Sequence, residues 1–316
     1  MNSSILISVI ICTYNPRLDY LNRALQALDA QTLSKEMWEL LLIDNASEKV
    51  LSSEINLKWH LNSRHIREEK LGLTPARLRG IEEAKSDILI FVDDDNVVES
   101  NYLEECLNIF NNYPYLGAIG GTVVAETETP VEEWQKPYLS FLTVREIKKP
   151  IWGNVSFNDQ NLPYGAGMCI RRKVALHYRN LVKYDPVRIL LDRKGTLLSS
   201  GGDSDLSLTS YDCNYGTGLF PSLRLTHLIP VKRLTEEYLL RLKREGGASG
   251  YILDYIRHGK TPQVIQKNLI TRLIEQLRLI RLSHIERKMR QAENEAVILA
   301  IEEIKKIQIG KGYNVN

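Results

Sequence analysis

The chain opens on an almost unbroken apolar, β-rich run, residues 5–12. A strand buried on both faces reads this way, whereas a half-exposed strand alternates. Thr13-Tyr14-Asn15-Pro16 ends the run, and Leu18, Leu21, Leu25 and Leu28 then recur at helical spacing. This pattern predicts a helix capped by Asn15, with Pro16 early in its first turn. Residues 38–43 predict a second buried strand, left through the polar set Asp44-Asn45-Ala46-Ser47. A short strand is expected near Ile66. Thr74-Pro75 reads as a cap followed by a first-turn proline, opening a helix through Ala84. Residues 87–92 predict a third buried strand that runs directly into Asp93-Asp94-Asp95.

Strand, helix, strand, helix, strand is the grammar of a parallel, doubly wound sheet. Ligands of such sheets bind beyond the carboxyl ends of the strands. Three strands here end in polar sets: Thr13/Asn15, Asp44/Asn45 and Asp93/Asp94/Asp95. If the strands are neighbours, these sets converge on one crevice.

Farther along, a helix is expected over 102–111 and a strand over 116–125. Residues 126–163 are rich in Pro, Trp and charge, which suggests a substrate-facing excursion. A short apolar stretch, 166–170, precedes Arg171-Arg172-Lys173 and a helix. Residues 199–205 form a small-residue turn with a helix expected from Asp205, 220–229 return as a strand, and the chain is helical from Leu234.

Composition narrows the class. The 316 residues carry 41 Lys+Arg against 39 Asp+Glu, a net charge of +2 that argues against dedicated nucleic-acid binding. At 43% hydrophobic and 25% charged, the chain has an ordinary soluble composition, not a disordered or collagen-like one. The four cysteines form no CxxC pair, so neither a zinc site nor a disulfide framework is expected, and they read as reduced thiols of a cytosolic protein. The longest apolar runs are too short to span a bilayer, and the first residues lack the basic region of a signal peptide.

Several residues can carry chemistry. Three adjacent carboxylates at a strand end repel one another, and a hard divalent cation, Mg²⁺ or Mn²⁺, relieves this; the bland alternative is a solvated acidic turn. Asp44 can accept from a nucleobase or ribose, or serve an Asx turn. No Gly-rich phosphate loop follows the first strand, so nicotinamide and P-loop chemistry are unsupported. In Gly201-Gly202-Asp203-Ser204-Asp205, one acid can act as a general base while the other caps the helix, or both can cap. His227 is either structural or a further ligand for Mn²⁺, and Lys232/Arg233 beside it can meet a diphosphate.

The set SVIICTYNP, LLIDNAS, KLGLTPARLRGIEEAKSDILIFVDDDN, GAGMCIRRKVA and GGDSDLSL, in that order, strongly resembles glycosyltransferase family 2. The resemblance covers roughly residues 5–233. It implies a GT-A fold: a Rossmann-like, doubly wound, mostly parallel α/β sheet with helices on both faces. Here that becomes a catalytic domain over 1–233, with a nucleotide-binding half to about 112 and an acceptor half from about 113, and a C-terminal helical region over 234–316. The implied activity is inverting transfer of a sugar from a nucleoside-diphosphate donor, expected to be a UDP-sugar, to a hydroxyl of a glycan or lipid-linked acceptor, assisted by Mn²⁺ or Mg²⁺.

Carried over residue by residue, the resemblance places Thr13 and Asn15 in the nucleotide pocket and Asp44 on the pyrimidine. Lys70 and Arg77 lie near ribose and diphosphate. Asp93 and Asp95 form the DxD-like element, with Asp94 on the sugar-nucleotide side or the ribose and Asp95 the direct metal ligand. Gly165 to Gly167 floor the donor sugar, and Asp203 is the catalytic base. His227 is raised as a second metal ligand and Arg233 as a donor contact. Two positions depart from the pattern: Gly202 replaces the usual Glu before the base, and Lys70 stands where Asn is common.

In the tail, Ile265, Leu269, Leu273, Leu277 and Ile280 recur at three and four among basic residues. This predicts an amphipathic helix, packed on the catalytic domain or in a dimer; the alternative is peripheral attachment to the inner face of an anionic membrane. Glu293 and Glu295 early, with Lys305 and Lys306 late, fit the macrodipole of a last helix. Two rival functions remain: a sugar-phosphate nucleotidyltransferase, and a non-catalytic nucleotide-sugar-binding protein.

Overall fold

The computed structural model describes residues 5–154, 161–193, 198–263 and 279–310. Their contacts divide the chain into two compact units. The first comprises 1–128, 142–186 and 202–229; the second comprises 129–141, 187–201 and 230–316. The second unit thus resumes at Pro230, near the expected boundary, and also takes two pieces of the chain before it.

The first unit is a mixed sheet of nine strands. β1 (Ile7–Thr13), β2 (Trp38–Asp44), β3 (Ser63–Arg67) and β4 (Ile88–Phe91) lie in the order β3-β2-β1-β4, all parallel. They alternate with α1 (Leu18–Asp29) and α2 (Leu73–Glu83). β5 (Asn96–Val98), α3 (Tyr102–Asn112), β6 (Leu116–Thr127), β7 (Ile151–Gly153), β8 (Cys169–Arg171), α4 (Arg172–Tyr184), α5 (Gly202–Asp212) and β9 (Gly216–Ile229) complete the unit. Past β4 the order runs β8-β6-β9-β5, with β7 also on β9. The parallel arrangement holds from β3 to β4, and β8 turns the sheet antiparallel.

Both faces of the central strands are covered, which is why those strands are mostly apolar; the buried exceptions Ser8 and Glu39 bond to each other at 2.6 Å. Ile7, Val9 and Ile11 share one core with Leu21, Leu25 and Leu28 of α1 and Leu103, Cys106 and Phe110 of α3. Ile10 points to the other face and meets α2, where a Cβ on Gly80 would lie 2.5 Å from Ile10 Cγ2.

Three expectations for the first unit are corrected, and one strand is added. Asn15 does not cap α1; it takes a left-handed φ of 45°, which asparagine tolerates, and Arg17 holds the cap position. Thr74 lies inside the first turn of α2, buried, behind Gly72 at φ 136°. α5 starts at Gly202 and not at Asp205, so both acids fall in its first turn. β5 was not foreseen, because Asn96–Val98 is three residues long and follows a polar triad.

In the second unit, α6 (Glu236–His258) is capped by the Thr235 hydroxyl and ends on Gly259 in the left-handed region. It packs along α7 (His284–Gly310), where Gly247 faces Ala296. α7 opens with a capping box: Ser283 N–H donates to Glu286 and Glu286 N–H donates to Ser283 Oγ. Glu293 and Glu295 therefore sit mid-helix, and Lys305 and Lys306 fall short of its last turn, so the expected dipole match is not made. The basic stretch from Ile265 to Leu277 lies outside the described residues. No described helix is long and apolar enough to cross a membrane.

Candidate active site

The carboxyl ends of β1, β2 and β4 meet as the alternation predicts. In the β1–β2 register Thr13 stands beside Asp44, and Val92 N–H donates to Ile10 O at 3.0 Å, which brings the acidic triad alongside. The Thr13 hydroxyl donates to Asp94 Oδ2. Asn15 joins through its backbone: its N–H donates to Ser47 Oγ at 2.9 Å, and its Oδ1 accepts Glu48 N–H at 2.9 Å.

Asp44 is 3% exposed and anchored on both oxygens. Oδ1 accepts Ser47 N–H at 3.0 Å, while Oδ2 accepts Leu51 N–H at 3.2 Å and Arg67 Nη1 at 2.7 Å. Burial alone pushes this carboxyl up; the Ser47, Arg67 and Leu51 hydrogen bonds outweigh it and hold the pKa below the ordinary aspartate value. A turn bond of the kind left open by the sequence is thus present, closed three residues on. Arg67, at the end of β3, was missed by sequence reading, since a single Arg after a weak strand carries no signal. Asn45 was passed over too, although it stands in the polar exit already noted. It ties that exit to the next loop, donating to Lys70 O at 2.8 Å and accepting Gly72 N–H at 2.8 Å. The Lys70 side chain itself is exposed.

Asp95 and His227 are 132 positions apart in sequence and adjacent in space, because β5 pairs antiparallel with β9 and sets Asn96 against His227. His227 Nε2 lies 3.4 Å from Asp95 Oδ2, and both residues are buried. On the far side of the ring, Nδ1 is 3.0 Å from Leu142 O. A carbonyl only accepts, so Nδ1 carries a proton, and Nε2 faces the carboxylate either as a second N–H or as a lone pair. Two lone pairs face each other only if a proton or a cation lies between them. Metal–ligand bonds of about 2.0–2.2 Å put adjacent corners roughly 3 Å apart, so the pair fits Mn²⁺ or Mg²⁺. Among the described residues no third His, Cys, Asp or Glu joins them, leaving other positions to substrate oxygens. Asp93 is partly buried, and its N–H reaches Asn96 Oδ1 at 3.4 Å.

Across the sheet, Gly165 N–H donates to Asp203 Oδ2 at 2.8 Å, while Asp203 Oδ1 accepts Ser204 N–H at 2.9 Å. A Cβ on Gly165 would lie 2.7 Å from Arg77 Nη2 and 3.2 Å from Asp203 Oδ2, so a cation and a carboxylate flank one bare backbone position. Arg77 is buried on α2. Asp203 is half-buried, whereas Asp205 is fully buried in the same turn, which separates the two acids. Gly167 takes φ +72°, and its carbonyl accepts the Tyr102 hydroxyl at 2.6 Å. Arg233 belongs to the second unit, on the short helix Val231–Leu234.

Comparison with known proteins identifies the family and the fold. The family model for glycosyl transferase family 2 matches residues 8–178, which takes in β1 to β4, the acidic triad and the Gly165 turn. A glucosyl-dolichyl phosphate glucuronosyltransferase of Haloferax volcanii is 27% identical over 123 residues, 38% of this chain and 39% of that one. The minor teichoic acid biosynthesis protein GgaB of Bacillus subtilis is 28% identical over 34% of this chain and 12% of its own length. The matched stretch thus spans well under half of these relatives. Residues 1–349 of S. aureus TarS superpose with a TM-score of 0.51 at 12% identity, covering 96% of this chain and 92% of that one; the UDP-GlcNAc complex of the same protein gives 0.50. These structures share the α/β GT-A fold with C-terminal helices. With more than half of its length matched and the same sheet beneath the match, the chain belongs to glycosyl transferase family 2.

Proposed function

We propose that the protein is an inverting glycosyltransferase, moving a sugar from a UDP-sugar to a hydroxyl of a glycan or lipid-linked acceptor. The observation that carries this reading is the bare backbone at Gly165 between Arg77 and Asp203. A pyranose needs a floor without side chains, a cation toward its diphosphate and a base toward its acceptor. Asp203, with a backbone N–H on each oxygen, keeps lone pairs for a third donor, the acceptor hydroxyl. It takes that proton as the glycosidic bond forms, and attack opposite the departing diphosphate inverts the anomeric centre. Asp95 and His227 would hold Mn²⁺ or Mg²⁺, which when bound stabilises the negative charge of the leaving group. Thr13 orients Asp94 toward the donor, and Asn15 and Asp44 shape the nucleotide end.

Two relatives and one neighbour support the substrate classes by their names: a dolichyl-phosphate glucuronosyltransferase, a teichoic acid protein, and a TarS complex with UDP-GlcNAc. Contact of the basic tail with anionic lipid belongs to the same reading, because lipid-linked acceptors reside there.

The test is UDP release from UDP-glucose, UDP-N-acetylglucosamine and UDP-glucuronic acid, by wild type and Asp203→Asn. Turnover of at least one donor is expected, falling ~10²–10⁴-fold in the variant while UDP affinity stays within about threefold. Wild-type rates in Asp203→Asn would remove the base assignment. Diphosphate release from UTP and a sugar 1-phosphate would replace the proposal with nucleotidyl transfer.

A further inference from the structure

Asp203 stands in the first turn of α5, where a carboxylate is drawn to the helix's own N–H groups. One oxygen follows that pull, to Ser204, and the other is held away from the helix by Gly165 N–H. The direction of the carboxylate therefore depends on how firmly the turn 162–165 presents that N–H.

The turn is fixed from one side chain. Arg145 Nη1 donates to Leu162 O at 2.9 Å, and its Nε donates to Gly121 O at 3.1 Å on β6. The same guanidinium stacks 3.9 Å over the Tyr164 ring, directly before Gly165. The backbone of Arg145 is itself pinned to Val123 by a reciprocal pair at 3.0 and 2.9 Å. Gly120 makes the room: a Cβ there would come 2.9 Å from Pro163 Cβ and 3.5 Å from Arg145 Nη2.

Among the described residues the Arg145 guanidinium meets two carbonyls and a ring and forms no ion pair. Burial pulls its pKa below the ordinary arginine value, opposed by Tyr164, Tyr102 and the charge of Asp203. A planar fork that bridges two carbonyls and stacks on a ring is a task lysine cannot copy.

We infer that Arg145 is a positioning residue for the base, clamping the 162–165 turn so that Gly165 N–H aims the Asp203 carboxylate at the acceptor. This rests on the assignment of Asp203 as base.

The experiment combines amide hydrogen exchange on the intact protein with a double-mutant cycle of Arg145→Gln and Asp203→Asn. The cycle uses the donor of highest turnover in the three-sugar panel. In Arg145→Gln the Gly165 amide should exchange at least about tenfold faster, with kcat reduced about 10–100-fold and donor KM changed less than about threefold. Arg145→Gln added to Asp203→Asn should cost nothing further, because both act on one group. Should Arg145→Gln fail to fold, Arg145→Lys takes its place with the same expectations. Unchanged Gly165 exchange, or losses that multiply in the cycle, would overturn the inference. Full activity of Asp203→Asn would instead remove the base assignment, while the exchange result still decides whether Arg145 clamps the turn.

Discussion

Two glycines, two residues apart, should fail in different ways. In Gly165→Ala the new methyl would meet Arg77 Nη2 at 2.7 Å, Asp203 Cβ at 3.1 Å and Asp203 Oδ2 at 3.2 Å. Comfortable contact is roughly 3.5–4.0 Å, so the end of Arg77 must withdraw by about 1 Å and Asp203 by a few tenths. Gly165 is not among the left-handed glycines, so the backbone carries no strain, and the tip of a long side chain yields cheaply. Overpacking should cost no more than about 1 kcal/mol, the low end of its usual range. Activity should suffer far more. A displacement near 1 Å costs about 10²-fold in kcat/KM, or roughly 2.7 kcal/mol of transition-state stabilisation. Gly167→Ala meets the opposite balance. Its φ of +72° costs an alanine about 1–2 kcal/mol. Its Cβ would also lie 2.5 Å from both Leu225 Cδ2 and Tyr102 Oη, inside the core, adding about 1–3 kcal/mol. Together that is about 2–5 kcal/mol, a large part of the 5–15 kcal/mol that holds a typical domain. Denaturant unfolding and UDP release, measured on both variants, separate the cases. A folded Gly165→Ala with wild-type kcat/KM would refute the sugar floor, and a Gly167→Ala as stable as wild type would refute the account of the turn.

Other outcomes follow from the same contacts. Asp44 is held below its ordinary pKa, so its contribution is full above about pH 4 and is lost as pH falls through the folded value. Asp44→Asn should cost about 1.5–3 kcal/mol at pH 7, a gap that narrows in denaturant titrations as the pH falls below about 4. Uridine diphosphate should bind more tightly than cytidine diphosphate, since only uracil offers a ring N3–H to Asp44 Oδ1; equal calorimetric affinities would end that assignment. Co-sedimentation with phosphatidylserine vesicles should be strong at low salt and lost at high salt, and none at low salt would remove lipid contact from the proposal.

Much of this was legible in the chain because buried parallel strands announce themselves. Residues 5–12, 38–43 and 87–92 are apolar on both faces, and each ends where the backbone ends within about a residue or two. The polar exits therefore fell where a doubly wound sheet uses them. What stayed hidden depends on long-range pairing. The approach of His227 to Asp95 comes from a three-residue strand too short to show a period, and the hold of Arg67 on Asp44 crosses from β3 to β2. Caps were misplaced where a side chain had a rival partner. Asn15 looks like a cap by type, but its Oδ1 is taken by Glu48 N–H across the crevice. Arg145 lies in the Pro- and Trp-rich excursion, where no periodicity marks one residue above another.

In the proposed site, Asp95 and His227 would hold a divalent cation that completes the nucleotide-sugar pocket. Calorimetric titration of UDP tests it most directly, since it requires neither the sugar nor the acceptor. Wild type and Asp95→Ala are compared, each with Mn²⁺ and with EDTA. Wild type with Mn²⁺ should bind UDP, and EDTA or Asp95→Ala should weaken binding at least about 100-fold (about 2.7 kcal/mol), with melting temperatures unchanged without nucleotide. Equal UDP affinity in all four titrations, or no binding by wild type with Mn²⁺ at millimolar UDP, would contradict it.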